Sequence, residues 1–146
     1  NQGAITFDGI DITKLSRQNL RNLFGMVLQN TWLFEGTVAD NIAYGKKDAS
    51  REEIIEAAKI AQCDHFIRTL PQGYDTIISS ENGALSQGQQ QLLTIARIIL
   101  ANPPVVILDE ATSSVDTRTE AHIQKPMATV PENRTSCVIA RRLSTI

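Results

Sequence analysis

This chain carries no strong excess of positive or negative charge. Its 14 basic and 16 acidic residues leave a formal net charge of -2. A protein whose main partner is nucleic acid usually carries a basic surface, and this balance gives no sign of one. The hydrophobic share of 42% and the charged share of 21% are those of an ordinary soluble globular protein. At 146 residues the chain is long enough for one domain with a core of its own.

Cysteines and long apolar runs are also scarce. Cys63 and Cys137 are the two cysteines, and they form no C-x-x-C pair. This spacing favours reduced, buried thiols over a disulfide framework or a metal site. No apolar run approaches the roughly 18 residues that cross a bilayer, and no signal-peptide pattern opens the chain. We therefore expect any membrane connection to come through another segment or another chain.

The most informative stretch is residues 105–116, which read VVILDEATSSVD. The uninterrupted run VVIL predicts a strand buried on both faces, as in a parallel sheet. Asp109 and Glu110 follow at the edge where open α/β sheets bind ligands. Two neighbouring buried carboxylates are costly without a partner, so a bound cation or a reacting water would explain them. A strand that ends in a solvated turn would give the same residues, and this stretch alone does not decide between the two.

The first residues of the chain predict a hairpin followed by a short helix. Residues 4–7 and 10–12 flank Asp8-Gly9, a dipeptide favoured in tight hairpin turns. Ser16 is placed to cap a helix that ends at Leu23.

A polar amide follows the next predicted strand. Residues 25–28 predict a second buried strand, and Gln29 leaves it. An amide there is suited to bind a metal ion or a water, and an ordinary surface loop residue is the alternative. Trp32, Leu33 and Phe34 form an apolar cluster in the loop that follows. Such a cluster either packs back into a core or marks a partner surface.

The middle third is predicted to be helical. Ser50 and Glu53 have the spacing of a capping box that opens a helix. The apolar stripe of that helix consists of Ile54, Ile55, Ala58 and Ala61. A second short helix over residues 64–70 is stopped by Pro71-Gln72-Gly73, and His65 within it is expected to be a surface or a packing residue.

A second capping box opens a long helix that runs to Ala101. Residues 85–89 read LSQGQ, and Ser86 and Gln89 have the capping-box spacing. The first turn of such a helix exposes backbone amides that, together with the helix dipole, favour a phosphate. A routine helix cap is the alternative. The predicted buried face of this helix consists of Leu92, Ala96, Ile99 and Leu100.

The order of these pieces resembles the ATP-binding cassette (ABC) family, and most of all the nucleotide-binding domain of an ABC exporter. A glutamine at a strand exit, a helical segment, L-S-x-G-Q at a helix start, and then VVILDE and SSVD occur in that order over nearly the whole chain. The resemblance implies an α/β fold, with a P-loop NTPase-like, mainly parallel core sheet and an α-helical subdomain. It places the core sheet in residues 1–29 and 102–146, and the helical subdomain in residues 30–101.

The resemblance also implies a role for each matching residue, with ATP and Mg²⁺ as cofactors. Asp109 ends the Walker B strand and would serve the Mg²⁺ site together with Gln29. Glu110 and Gln29 would be the catalytic residues, and Glu110 would polarise the water that attacks the γ-phosphate. The residues expected to contact ATP through the signature motif and the D-loop are Ser86, Gln87, Gly88, Gln89, Ser113 and Asp116.

The partners that the resemblance implies are a second nucleotide-binding domain and a transmembrane domain. Two such domains close head to tail around two ATP molecules, and their closure drives export. The residues expected near the coupling helices of the transmembrane domain are Thr31, Trp32, Leu33, Phe34 and Glu81. This implies a location at the cytoplasmic face of the cell membrane, and no nucleic acid partner.

One motif of the family is absent from these residues. The P-loop, G-x-x-x-x-G-K-[ST], occurs nowhere, and Gly45-Lys46 does not complete it because Asp40 stands where the first glycine is needed. The resemblance places that loop upstream of Gly3. We therefore expect a fragment without the main ATP cradle, either marginally stable or associated with another chain.

Other positions depart from the family pattern. Arg141 stands where the family carries a switch histidine, and an arginine cannot give up its proton near neutral pH. Gln90 replaces a residue that is often basic in exporters, and Pro126 falls inside an expected helix. A catalytically silent cassette that acts as a docking or dimerisation module is therefore the alternative function. A DNA-repair or translation ATPase is a third hypothesis, less favoured because of the exporter-like region around Glu81.

Overall fold

The structure is a computed structural model that describes residues 3–28, 31–79, 85–109 and 135–139, with the backbone alone at 108, 109 and 135–139. Within these ranges the strands are β1 (Thr6–Phe7), β2 (Ile10–Asp11), β3 (Phe24–Val27), β4 (Gly36–Thr37), β5 (Ile77–Ile78), β6 (Val105–Asp109) and β7 (Thr135–Ile139). The α-helices there are α1 (Arg17–Asn22), α2 (Val38–Ala43), α3 (Arg51–Ile60), α4 (Asp64–Thr69) and α5 (Gln87–Ala101). Short 3₁₀ helices cover Ile12–Lys14 and Gly73–Asp75.

The predicted hairpin and the helix that follows it are confirmed. Strands β1 and β2 pair antiparallel, with Phe7 opposite Ile10. Asp8 and Gly9 both have positive φ, 47° and 79°, as the two central residues of a type I′ turn require. Ser16 caps α1 by accepting a hydrogen bond from the backbone amide of residue 19 at 3.1 Å.

The central sheet is parallel, with strand order β3-β6-β7. Its register places Val27 opposite Leu108 and Asp109 opposite Ile139. The carboxyl ends of the three strands therefore lie along one edge of the sheet, which is the ligand-binding edge in open α/β folds.

One expectation for this sheet is wrong. Strand β3 was predicted to be buried, but its residues alternate between buried and exposed. Gly25 and Val27 face helix α5 and are buried, whereas Phe24, Met26 and Leu28 remain 36%, 49% and 44% exposed. Strand β6 follows the same pattern more weakly, because Val106 is buried and its neighbours are half-buried. An apolar run thus identified the strands correctly but not the number of faces that the described residues cover.

A glycine lets helix α5 approach the sheet. A Cβ atom on Gly25 would lie 2.7 Å from Cγ of Pro103 and 3.0 Å from Cγ2 of Ile98. Any larger side chain would therefore push α5 and the segment after it away from β3. The helix ends at Asn102, which adopts the left-handed conformation, and two prolines follow.

The helical region is organised by capping boxes and by one shared core. The boxes at Ser50 of α3 and Ser86 of α5 are both present as predicted, and Thr37 forms a third at the start of α2. Helix α4 ends at Thr69, two residues before Pro71, and His65 is exposed, which agrees with the surface interpretation and not with the packing one. The largest fully buried side chains of the core are Ile42, Ile67, Leu93, Val27, Val38, Asn41 and Cys63.

The predicted apolar faces of α3 and α5 largely point into this core. Ile54, Ala58 and Ala61 are buried, and so are Leu92 and Ala96. Val27 and Val106 of the sheet belong to the same cluster, so the sheet and the helical region share one core through α5. The expectation for Cys63 is confirmed, since it is a free and buried thiol. Along the described parts of the chain, none of the helices has the length and apolar character needed to cross a membrane.

Candidate functional site

The strand edge holds one of the positions on which the sequence prediction depends, Asp109. Strand β6 ends at Asp109 and lies directly beside β3, the strand that precedes Gln29. Helix α5 packs against β3 from one side. The other residues predicted for this site or its partners, Gln29, Glu110, Ser113, Asp116 and Glu81, lie outside the described residues, as do Arg141 and Pro126.

The start of helix α5 is fixed by a complete capping box. The hydroxyl of Ser86 accepts from the amide of Gln89 at 3.2 Å, and Oε1 of Gln89 accepts from the amide of Ser86 at 2.9 Å. These two side chains therefore orient the first turn. The amides of Gln87 and Gly88 have no partner in the parts of the chain that the structure describes. With the dipole of a 15-residue helix behind them, they form a surface suited to an anionic group.

Gln90, which sequence reasoning noted only as a departure from the family, links this helix start to the loop after β3. Its Oε1 accepts a hydrogen bond from the hydroxyl of Thr31 at 3.2 Å. Its Nε2 donates to the carbonyl of Leu85, immediately before the capping residue, at 3.0 Å. A lysine or an arginine could not accept from the threonine hydroxyl, so this arrangement depends on the amide.

The apolar cluster of the loop resolves into two parts. Leu33 packs against the core, which agrees with the first of the two interpretations of this cluster. Trp32 and Phe34 instead join Tyr44, which caps the end of α2, with ring centroids 5.7 to 6.1 Å apart. Trp32 is 61% exposed and Tyr44 is 59% exposed. We call Trp32, Phe34 and Tyr44 the aromatic surface, and its exposed part has the character of a partner-binding site.

Two members of this region were missed from the sequence. Tyr44 lies ten positions after Phe34, and no local pattern joins them. Arg97 on α5 lies over the ring of Tyr44, with its guanidinium carbon 5.1 Å from the ring centroid. Burial lowers the pKa of Arg97 below its ordinary value, and the charge interaction with Tyr44 opposes that shift. Arg97 is the single charged residue of α5, in the apolar second half of that helix, and this was the available signal.

The described residues of this region hold no preformed metal cluster. Within the described ranges, no group of three or more histidine, cysteine, aspartate or glutamate side chains is placed to hold an ion. The predicted Mg²⁺ ligand Asp109 is located by its backbone at the end of β6.

Comparisons with known proteins agree with this geometry. Residues 1–113 match the ABC transporter family, so the chain belongs to that family. It is 57% identical over 144 residues to the fatty acid ABC transporter ATP-binding/permease protein of Mycobacterium tuberculosis (strain CDC 1551 / Oshkosh), covering 99% of this chain and 23% of that protein. It is 51% identical over 146 residues to the ATP-dependent lipid A-core flippase of Legionella pneumophila (strain Paris), covering 100% of this chain and 25% of that protein.

A solved structure leads to the same family. The structure of a bacterial Atm1-family ABC exporter with ATP bound has a TM-score of 0.89 and 46% sequence identity, covering 99% of this chain and 25% of that one. The predicted family, the exporter type and the α/β cassette fold are therefore confirmed. The chain spans about a quarter of the length of the curated relatives it matches. The activity, cargo and partners of the whole protein are accordingly matters for proposal.

Proposed function

We propose that this chain forms part of a cassette that binds and hydrolyses ATP and so powers export by an ABC transporter. The observation that carries the proposal is the start of α5, where Ser86 and Gln89 cap each other and no group of the described residues pairs with the amides of Gln87 and Gly88. These amides fit a phosphate, because they and the helix dipole both favour negative charge.

In this proposal the sheet edge performs the chemistry. Glu110 orients a water and accepts its proton as the water attacks the γ-phosphorus. The bond between the γ-phosphorus and the β–γ bridging oxygen then breaks, so that ADP leaves and phosphate is released. Asp109 and Gln29 would hold Mg²⁺, which neutralises charge on the phosphates when it is bound. The parallel register supports this assignment, since it places Asp109 beside the strand that leads to Gln29.

Two cassettes are needed for the complete site. The signature residues 86–89 of this chain would face an ATP molecule held by a second cassette, with Ser113 and Asp116 at the contact between the two. These 146 residues contain no P-loop. The proposal therefore assigns the main phosphate cradle to another part of the protein. We also propose the division into a core sheet (1–29 and 102–146) and a helical subdomain (30–101).

The aromatic surface is the proposed contact with the transmembrane domain. Trp32 and Tyr44 are large, exposed and amphipathic, which is typical of side chains that anchor protein interfaces. Thr31, Leu33 and Glu81 are predicted to lie at or near the same contact. The proposed location is accordingly the cytoplasmic face of the cell membrane.

The test is ATP hydrolysis by the full-length protein with Glu110→Gln. We expect the rate to fall by about 100-fold or more while ATP binding is retained, because the water would lose its general base. Glu56→Gln is the matched control, since Glu56 is an exposed carboxylate of α3 whose recorded ion pair is a surface contact with Lys59. Unchanged hydrolysis in the Glu110 variant would refute the catalytic assignment.

A catalytically silent docking module is the second candidate, and Arg141 is the observation that favours it. An arginine cannot exchange a proton as a histidine does near neutral pH. Under this alternative, full-length protein with Arg141 in place would not turn over ATP, and Arg141→His would restore turnover. Steady hydrolysis by the unmodified protein would exclude it.

A further inference from the structure

The loop over residues 31–37 forms hydrogen bonds with helix α5 at two separate places. We call the hydrogen bonds made by Gln90 the first contact and those made by Arg97 the second contact. The first contact lies at the start of α5, next to the predicted signature residues. The second contact lies two turns further along the same helix, beneath the aromatic surface.

In the second contact, each nitrogen of the Arg97 guanidinium donates to the loop or to α2. Nε donates to the carbonyl of Asn41 at 2.8 Å, and Nη2 donates to Oδ1 of the same residue at 3.3 Å. Nη1 donates to the carbonyl of Trp32 at 3.3 Å. Among the recorded ion pairs of the described residues none involves Arg97. Its hydrogen-bonding capacity is therefore directed at the segments that carry the aromatic surface.

Asn41 extends the second contact into the loop. It is fully buried, and its Nδ2 donates to the carbonyls of Phe34 at 3.0 Å and Thr37 at 3.1 Å. Its Oδ1 also accepts from the amide of Phe34 at 3.1 Å. One buried amide thus fixes both backbone groups of Phe34 and connects them to Arg97, so the loop has little freedom to move independently of α5.

Close backbone packing further restricts the movement of α2 relative to α5. A Cβ atom on Gly45 would lie 2.4 Å from the carbonyl oxygen of Arg97 and 3.0 Å from Cβ of Ala101. The end of α2 therefore lies directly against the backbone of α5. Because Tyr44 immediately precedes this glycine, its backbone is held close to α5.

The first contact completes the path to the predicted ATP-contacting residues. Thr31 donates to Gln90, and Gln90 donates to the carbonyl of Leu85, whose neighbour is the capping residue Ser86. The loop that begins at the strand exit is thereby joined to the first turn of α5.

We propose that Arg97 is a positioning residue that makes the aromatic surface and the start of α5 move as one body, so that ATP bound at residues 86–89 changes the surface offered to the transmembrane domain. This inference rests on the proposed function. Arg97 is 11 residues from Ser86, about 16 Å along the helix axis, so it acts through the helix and does not touch the nucleotide.

The test is hydrogen–deuterium exchange of the full-length protein in lipid vesicles, with and without a non-hydrolysable ATP analogue and Mg²⁺. In the unmodified protein we expect the nucleotide to slow exchange in the segments 85–92 and 31–37 alike. In Arg97→Lys, which keeps the charge but loses the planar fork, the response of 85–92 should persist. The response of 31–37 should fall about fivefold or more, the lower end of typical allosteric coupling. The KM for ATP should stay within about twofold, because binding itself is unchanged.

Arg68→Lys is the matched control. Arg68 lies on α4, pairs with Asp64 at the surface, and forms no hydrogen bond or ion pair with the described residues of the loop or of α5. We expect both nucleotide responses to remain at their full size in this variant. Gln90→Met weakens the first contact without touching α2, and we expect it to reduce the response of 31–37 less than Arg97→Lys does. Should Arg97→Lys fail to fold, Arg97→Met, which keeps the aliphatic stem and removes the buried charge, provides the test, and a full response of 31–37 in that variant would overturn the inference.

The remaining outcomes each count against the inference in a different way. A full response of 31–37 in Arg97→Lys would overturn it while leaving the proposed ATPase function intact. Loss of the response in both segments of that variant would also overturn it, because Arg97 would then support binding or folding and not transmission. If the unmodified protein shows no response anywhere, the proposed ATP function fails and this inference fails with it.

Discussion

The helical region and the sheet of this chain are packed to very different degrees. In the helical region Ile42, Ile67 and Leu93 are completely buried, with 0% exposure. In the sheet, Met26 is 49% exposed and Leu28, which follows β3, is 44% exposed. The difference teaches that the described residues cover the core on both sides, including Val27 and Val106 of the sheet, whereas they leave the other face of β3 open. Substitutions of the same chemistry should therefore have unequal effects in the two regions.

The largest effect is expected in the centre of the helical core. Leu93→Ala removes a fully buried side chain of α5 and should lower the free energy of unfolding by about 2 to 5 kcal/mol. Urea unfolding of the purified cassette measures this change. Leu93→Met, which keeps the volume, is the control and should cost less than about 1.5 kcal/mol. A small loss in Leu93→Ala would show that the helical core is looser than its burial indicates.

A pair of glycine substitutions sharpens the comparison. Gly45→Ala would place Cβ 2.4 Å from the backbone oxygen of Arg97, which cannot move without shifting α5. Gly25→Ala meets side-chain atoms of Pro103 and Ile98 at 2.7 and 3.0 Å, longer distances than at Gly45, so a smaller displacement of α5 relieves them. Overpacking typically costs about 1 to 3 kcal/mol, and we expect Gly45→Ala at the upper end of that range and Gly25→Ala at the lower end. Thermal unfolding of the two variants decides the order, and the reverse order would contradict the rigid contact between α2 and α5.

These contacts show what the sequence could and could not predict. Three features depended on residues no more than four positions apart: the hairpin turn at Asp8-Gly9 and the capping boxes at Ser50 and Ser86. Local chemistry was sufficient there, because a cap or a tight turn is stabilised by its own neighbours. Strands β3 and β6 were also predictable, since apolar runs of about four residues between turn residues are too short for a helix.

The missed features depend on residues that are distant in sequence. Arg97 and Asn41 are 56 positions apart, and Thr31 and Gln90 are 59 positions apart. No periodicity joins such pairs, so the aromatic surface was predicted without Tyr44 and without the arginine beneath it. The exposed face of β3 was missed for a different reason. Hydrophobic residues indicate that a strand can be buried, but not which of its faces another element covers. The roles of Gln29, Glu110, Ser113, Asp116 and Glu81 stay predictions.

The stability that Asp64 contributes to the helical region is expected to depend on pH. Burial alone would raise the pKa of Asp64, but hydrogen bonds from Tyr74 and Arg68 outweigh burial and lower that pKa below its ordinary value. A carboxyl whose pKa is lowered on folding contributes stability above its unfolded pKa of 3.8, and this contribution is lost as pH falls through the lower folded pKa. Asp64→Asn should therefore be less stable than the unmodified protein at pH 6, and the difference should shrink below about pH 4. A constant difference between pH 6 and pH 3, measured by urea unfolding, would contradict this assignment.

The smallest effect is expected on the open face of the sheet. Met26→Ala removes a side chain that is already 49% exposed, so much of its apolar area is not withdrawn from water in the first place. We expect a loss of about 1 kcal/mol or less, well below that of Leu93→Ala, because transfer free energy scales with the area buried. Met26→Leu is the volume-matched control and should be nearly neutral. The decisive comparison repeats the two alanine substitutions in the full-length protein by thermal unfolding of the cassette. If Met26→Ala then becomes as damaging as Leu93→Ala, another segment of the full-length protein covers the open face of β3. The two regions would then differ only because the described residues cover one face of the sheet and not the other. If the effect stays small, the open face is a property of the folded cassette itself.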